Sequence, residues 1–505
     1  MISYRKTLKP AAAGVIFLAV IMIQCTKKGS EENILAIVGD RVITSNEFIK
    51  RAEYTIRPPY CKRNSSIDKQ IILNSIIAEK LYAFEAGDEN PLSGSKTFQA
   101  YIRGRKEQYM RKVLFAEIVQ EKIKPDTSEL NKQYRLAGRT YHVAYCSIDR
   151  NAARFAGEQK ENSDQMDLFG AVYRKAGGLG PAPERTVSWK SKESRAVHMA
   201  LFSDPLVRDQ VVGPIQVDED QFLMLKVLGW TDRPAVTSSD VQRREEEVYE
   251  DWEREKSQII WDEYVLKIMK NKRLEFDRTM FEKMAELFRP LCIRSKPKSM
   301  PGINPESAQE NPNSIIDSIG VELKNRHFQD QPFFKFDGKT WTVADFMKIY
   351  ASHPLVFRKN KFRESEFPEQ FKFALADLMR DQIINQKAYD KGIDQLPSVQ
   401  AHTRMWQDAL IAKYHQSNYL QKKTRDKLTA ENIGRIMENY LNPYSDSLFV
   451  KYSDQIQINI PFFENIKLTR IDMVALNENV PYPETVPTFP ILTDKTRLNY
   501  GSKLE

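Results

Sequence analysis

The chain has 505 residues, of which 76 are basic and 68 acidic, and its formal net charge is +8. A single hydrophobic core does not grow to this length, so the sequence predicts several domains. Hydrophobic residues make up 41% of the chain, which is enough to fill those cores. The positive charges are spread along the sequence rather than gathered in a basic stripe, which excludes the usual kind of nucleic-acid-binding surface.

The first residues have the pattern of an export signal. Three basic side chains at residues 5–9 precede an apolar stretch at residues 11–23, and Cys25 follows. The stretch suits the apolar part of a signal peptide and is shorter than the roughly 20 residues of a membrane-spanning helix. It resembles a bacterial lipoprotein signal, whose cysteine is acylated. We therefore expect residues 1–25 to be a signal peptide with its lipidation site at Cys25; an uncleaved anchor and an ordinary secretory signal are the alternatives.

A strand–turn–helix pattern opens the part of the chain after the signal. Apolar residues 34–38 precede a turn, and Thr44 and Glu47 have the spacing of a capping box, in which each side chain binds a free amide at the helix start. Two long amphipathic helical patterns follow. These features predict an N-terminal helical module at residues 33–136.

The same order of features returns in the second half of the chain. A short strand pattern at residues 334–336 precedes a turn, and Thr342 and Asp345 again have capping-box spacing before an apolar helix face. The likeness predicts an internal duplication, with a second helical module at residues 331–425. Two unrelated strand–turn–helix units are the alternative, because capping boxes are common.

The other segments differ in composition from the two modules. Short strands mixed with glycine and proline predict a small sheet domain, and a highly charged helical pattern follows it. A proline-rich linker precedes the second module, and the C-terminal part has one helix, strands and an extended tail without a predicted role. In chain order these segments are residues 137–233, 237–292, 293–330 and 426–505. The sequence thus predicts a multidomain α+β protein that is mostly α-helical.

No motif for a metal or cofactor is present in the sequence. Cys61, Cys146 and Cys292 are few and widely spaced, so they predict neither a disulfide framework nor a metal site. The histidines are scattered and lack metal-ligand spacing. The sequence has neither a phosphate-binding glycine loop nor a nucleophile elbow, so we expect no metal, no cofactor and no nucleotide.

Several segments together resemble a known family. Residues 35–48, with the sequence LAIVGDRVITSNEF, resemble the opening of the SurA/PrsA family of extracytoplasmic foldases. That family places a helical chaperone module before a parvulin-type prolyl isomerase domain and closes with another helix. Further segments resemble successive parvulin elements: residues 139–145, 177–180, 200–202, 212–215 and 221–227. The resemblance, over about residues 33–290, implies helical chaperone modules around a small parvulin-like α/β sheet domain.

The resemblance also implies candidate site residues. His142 matches the first of the two histidines of parvulins. Phe202 matches a side chain that lines the apolar slot for the proline ring. Met199 and Met224 are further candidates for lining that slot. The family would thus place catalysis at His142 and Phe202, and substrate contacts at Met199, Phe202 and Met224.

The departures from the family bear on activity. The second histidine is expected in the last strand, where this chain has Leu223, and the polar residue before the glycine turn is replaced near Ala171 or Tyr173. A prolyl isomerase must bind the twisted amide more tightly than either planar form to lower a barrier of about 18–20 kcal/mol. We therefore expect prolyl isomerase activity that is weak or lost.

The resemblance and the export signal together give a functional hypothesis. We expect an ATP-independent periplasmic chaperone for unfolded envelope or outer-membrane proteins, tethered by a lipid to the outer membrane in preference to the inner one, with surface exposure left open. Its partners would be unfolded polypeptides and the membrane. The helical modules are expected to leave an open apolar hollow between them. An active parvulin-type isomerase and a structural subunit of an envelope complex are the alternatives.

Overall fold

The computed structural model describes residues 33–501 apart from several short stretches and the segment before the second module. The gaps are residues 58–60, 62–64, 163–166, 219, 295–325, 360–361, 425–431, 470–472, 474–481, 491–492 and 494. The predicted signal peptide, its lipidation site at Cys25 and most of the predicted linker lie outside the described residues. The chain divides into two compact units, of which unit 2 is residues 119–262 and unit 1 is the rest.

The protein is α+β and mostly helical, with small antiparallel sheets. The strands are β1 Ile34–Val38, β2 Arg41–Thr44, β3 Arg139–Ile148, β4 Glu184–Ser188, β5 Val211–Gln216, β6 Phe222–Asp232, β7 Leu274–Phe276, β8 Pro332–Phe336, β9 Lys339–Thr342 and β10 Ile456–Ile458. The helices are α1 Ser45–Glu53, α2 Ser66–Ala86, α3 Lys96–Lys122, α4 Thr127–Ala137, α5 Arg150–Asn162, α6 Leu168–Lys175, α7 Arg195–Phe202, α8 Ser238–Met269, α9 Arg278–Arg294, α10 Arg326–Gln329, α11 Val343–Tyr350, α12 Phe367–Asp390, α13 Pro397–Lys423, α14 Ile433–Ile436, α15 Asn442–Lys451 and α16 Ile460–Asn465.

Unit 2 is built on a four-stranded antiparallel sheet in the order β4-β3-β6-β5. Side chains alternate between its two faces. Tyr141 and Val143 of β3 pack in one core with α7 and α8, whereas Ala144 and Cys146 pack in a second core with α5 and α6. The sheet therefore has an α7 face and an α5 face, each covered by helices.

Unit 1 contains two three-stranded sheets, β10-β1-β2 and β7-β8-β9. In each, a β-hairpin leads directly into a helix capped by a threonine. Thr44 Oγ1 accepts a hydrogen bond from the amide of Glu47 at 3.1 Å, and Thr342 Oγ1 accepts one from Asp345 at 3.2 Å. The reciprocal half of the capping box forms only at Asp345, because the Glu47 carboxylate lies 2.8 Å from Lys80 Nζ instead.

Two basic–acidic hydrogen-bonded pairs give further support to an internal duplication. Arg51, at the end of α1, bonds Glu79 of α2 at 2.7 Å, and the two residues are 28 positions apart. His353, after α11, bonds Asp381 of α12 at 3.0 Å, and these are also 28 positions apart. Burial opposes ionisation of Asp381, but His353, Arg111 and Arg380 outweigh it and hold its pKa below the usual range. Each module therefore joins its first and second helices by a basic–acidic pair at the same spacing.

The third helices are exchanged between the two modules. Helix α13 of the second module packs along α2 of the first, and its Met405 and Trp406 lie in the same core as β1 and α2. Helix α3 of the first module binds α12 of the second, where Arg111 Nη1 donates to Asn385 Oδ1 at 2.8 Å. Gly104 of α3 lies so close to the second module that an added Cβ would be 1.7 Å from the main-chain oxygen of Ser352.

The two helical modules therefore interlock. This differs from the expectation of modules set apart, since the third helix of each module packs against the other module. The exchange was invisible to sequence periodicity, which reports the apolar face of a helix but not which module covers it.

Candidate functional site

His142 lies on β3, an inner strand of the unit 2 sheet. Its side chain is 48% exposed, and its Nε2 is 3.0 Å from Oε2 of Glu184 on the edge strand β4. Across β3 its neighbours are Thr186 of β4 and Gly229 of β6, and the β3–β6 register shifts just after it. The histidine is thus a half-exposed surface group with a carboxylate partner.

Phe202 is in a different setting, since it is 2% exposed at the end of α7. Its ring contacts three other rings, with centroid distances of 5.5 Å to Tyr141, 5.3 Å to Trp189 and 4.9 Å to His198. The protein's own aromatic side chains therefore occupy the space that a proline ring would need beside Phe202.

The structure places His142 and Phe202 on opposite faces of the sheet. His142 lies between Tyr141 and Val143 along β3, and both of these neighbours belong to the core on the α7 face with Phe202. Because side chains alternate along a strand, His142 is on the α5 face. The two candidate catalytic residues therefore do not meet at one site.

The two methionines do not join a common slot with Phe202 either. Met224 of β6 is fully buried in the core on the α5 face. Met199 of α7 is half-buried, and its sulfur accepts a hydrogen bond from Ser203 Oγ at 3.8 Å. Both side chains serve packing or local contacts.

The position expected for a second histidine is part of the core. Leu223 of β6 is 8% exposed, pairs with Ser147 of β3 and packs on the α7 face. Tyr173, near the expected polar position, lies against Gly178 and donates from its hydroxyl to the main-chain oxygen of Pro181 at 3.3 Å. Neither residue supplies an acid or base next to His142.

One cluster that the sequence did not reveal lies on the α7 face. Trp189 Nε1 donates to Asp251 Oδ2 at 2.6 Å, and the Trp189 ring lies 4.6 Å from that of His198. Burial lowers the pKa of His198, and the opposing charge of Asp251 does not restore it, so the imidazole is neutral at pH 7. No motif signalled this cluster, because its members come from a strand end and two separate helices.

A shallow depression of about 500 Å³ lies beside the glycine turn of unit 2. Phe169, Tyr173 and Arg174 of α6 form one side, and Leu179 in the turn forms another. Leu179 is 94% exposed, so the turn presents an apolar side chain to solvent. The depression has aromatic and charged walls but contains neither His142 nor Phe202.

Within the described part of the chain, no group of His, Cys, Asp or Glu side chains has the arrangement of a metal site. Over the same residues, no helix has both the length and the apolar character needed to cross a membrane. No protein-family model matches the chain, and no curated protein matches it.

The packing of unit 2 predicts that one substitution strongly destabilises it and that another has little effect. Phe202→Ala removes a ring from a filled core, so we expect it to lower the free energy of unfolding of unit 2 by about 3–5 kcal/mol. His142→Ala removes a half-exposed side chain and should change it by less than about 0.5 kcal/mol. Urea titration of the full chain, followed by tryptophan fluorescence, measures both. Equal stability of the two variants would mean that Phe202 lines an open slot.

Proposed function

We propose that the protein is a membrane-tethered, ATP-independent chaperone of the periplasm for unfolded envelope and outer-membrane proteins. The observation that carries the proposal is the insertion of one compact unit in another. Unit 2 interrupts unit 1, which is built from chain segments on both sides of it. Helical segments before and after a small sheet domain are the arrangement implied by the resemblance to the SurA/PrsA foldases.

The order of elements in unit 2 supports the same proposal. The strand with His142 comes first, and the glycine turn follows, with Gly177 and Gly180 at φ values of 84° and 83°. Helix α7 with Phe202 comes next, and β5 and β6 close the sheet. The segments that resemble parvulin strands thus form β3, β5 and β6, and the segment with Phe202 lies at the end of a helix.

The site geometry supports a binding role over catalysis. His142 and Phe202 are on opposite faces, the space beside Phe202 is filled by Trp189, and Leu223 occupies the place of the second histidine. An isomerase needs its polar groups and its proline slot at one site, because it must stabilise a single twisted amide. We infer that prolyl isomerase activity is weak or lost.

Exposed apolar side chains of unit 1 offer weak contacts to a client. Ile67 of α2, Leu266 of α8 and Val450 of α15 each have more than half of their surface exposed. Contacts that are weak singly become effective when several act on one linked chain. A lipid on Cys25 would hold these contacts at the outer membrane, where unfolded barrel proteins arrive.

Suppression of aggregation tests the chaperone directly. Residues 26–505 should slow the aggregation of a urea-unfolded outer-membrane barrel protein after dilution, without added nucleotide, because binding covers exposed apolar segments. Light scattering measures the rate, with an equal mass of serum albumin as the control. No slowing at a several-fold molar excess of the protein would refute the proposal.

A prolyl isomerisation assay separates the proposal from an active enzyme. We expect the wild-type protein and His142→Ala to leave a proline-containing peptide at its uncatalysed rate, because His142 and the ring of Phe202 lie on opposite faces of the sheet. The readout is the rate of cis–trans exchange, with a known prolyl isomerase as the positive control. Catalysis by the wild type that His142→Ala abolishes would instead establish the enzyme.

A further inference from the structure

The C-terminal part of the chain crosses unit 1 in an extended form. Residues 482–490 and 495–501, here called the tail, have neither helix nor strand. Val486 and Tyr500 of the tail are nevertheless buried in the core that contains β1 and α2. The tail thus lies in a groove of the N-terminal module, bordered by α1, α2 and α3.

Buried polar side chains of the groove bind the main chain of the tail. Arg51 Nη2 donates to the carbonyl oxygen of Thr488 at 2.8 Å. Asn74 Nδ2 donates to the carbonyl oxygens of Lys495 at 2.9 Å and Arg497 at 3.1 Å. The side chains of Arg51 and Asn74 belong to fully buried residues. Their bonds read the backbone and are therefore independent of the sequence bound.

The same helices also bind main-chain groups just upstream of the tail. Lys69 Nζ donates to the carbonyl oxygen of Ile466 at 2.9 Å, and Glu53 Oε1 accepts from the amide of Thr469 at 2.7 Å. Donors and an acceptor for backbone groups thus line α1 and α2 over a long path. Such a path suits an extended polypeptide rather than a folded surface.

Side-chain contacts fix the register of the tail. Glu484 lies 3.2 Å from Lys50 Nζ and also bonds Lys112. Burial opposes ionisation of Glu484, but the two ammonium groups outweigh it and lower its pKa. Tyr482 packs edge-on against Phe115, with ring centroids 6.0 Å apart. The groove therefore combines a few specific anchors with general backbone bonds.

One buried acceptor of the groove is left without a partner by the tail. Among the described residues, Asn74 Oδ1 is buried and accepts no hydrogen bond. An unpaired buried acceptor destabilises the state that contains it. An extended chain that places an amide N–H at this point would satisfy the acceptor.

We propose that this groove is a binding site for extended segments of unfolded polypeptides, and that the tail occupies it until such a segment displaces it. The inference rests on the proposed chaperone function and names its client-binding surface. When a tethered competitor occupies a site in most molecules, the apparent affinity of that site for a client is its intrinsic affinity multiplied by the fraction of molecules in which the site is open. Release of the tail therefore strengthens client binding.

The test uses residues 26–505 and a fluorescein-labelled, unfolded outer-membrane barrel protein as the probe. Val486→Asp places a charge in the buried part of the tail and should release it, so we expect roughly tenfold tighter binding by fluorescence anisotropy. Val236→Asp is the matched control, since Val236 is 81% exposed and belongs to unit 2 rather than to the groove, and it should bind as the wild type does. Adding Asn74→Leu to Val486→Asp should remove the gain.

Hydrogen exchange of residues 482–500 reports whether the tail is released. A released tail with unchanged client affinity overturns the inference, and wild-type binding would then leave the chaperone function intact.

If Val486→Asp does not fold, a synthetic peptide of residues 482–500 is added to the wild type with bound client. Displacement of the client supports a shared groove, and no displacement at saturating peptide overturns it. Absence of client binding by the wild type and all variants overturns the proposed function itself.

Discussion

The arrangement of unit 1 depends on one buried ammonium group. Lys80 of α2 is fully buried, and its Nζ lies 2.8 Å from Glu47 of α1 and 2.9 Å from Asp408 of α13. Arg41 joins the same carboxylate of Asp408 at 3.0 Å. Burial lowers the pKa of Lys80, but the two carboxylates outweigh it and raise the pKa above its usual value. Removing charges from water costs several kcal/mol per ion, so each of these groups needs its partners.

Because Asp408 belongs to the second module, this charge arrangement closes only when the modules interlock. Because α3 and α13 are exchanged, the apolar face of each helix packs against the other module. These faces are therefore not available to bind a client. The proposed client-binding surface would therefore lie elsewhere on unit 1. The groove that holds the tail has the backbone-binding groups that such a surface requires, and Arg51 there also pairs with Glu79 of the first module.

Local features of the fold could be predicted from the sequence, and distant ones could not. The hairpins and the caps at Thr44 and Thr342 follow from short-range patterns, and both occur. The pairing of β1 with β10 joins Ala36 to Ile458, and nothing in either short strand indicates so distant a partner. The sequence identified His142 and Phe202 but not their separation, because a family pattern gives the order of residues and not which ring fills a slot. Trp189, which fills it, follows a strand with no distinguishing motif.

The interlocking of the modules is tested most directly by hydrogen exchange in the full chain after Lys80→Met. Loss of Lys80 leaves Glu47 buried without this counter-ion and leaves Asp408 with Arg41 alone, and we expect a stability loss of about 3–5 kcal/mol. We expect amides of α2 and α13 to lose protection together, whereas the control Lys348→Met, at a side chain 78% exposed, should leave both unchanged. Loss of protection in α2 with α13 still fully protected would contradict the account.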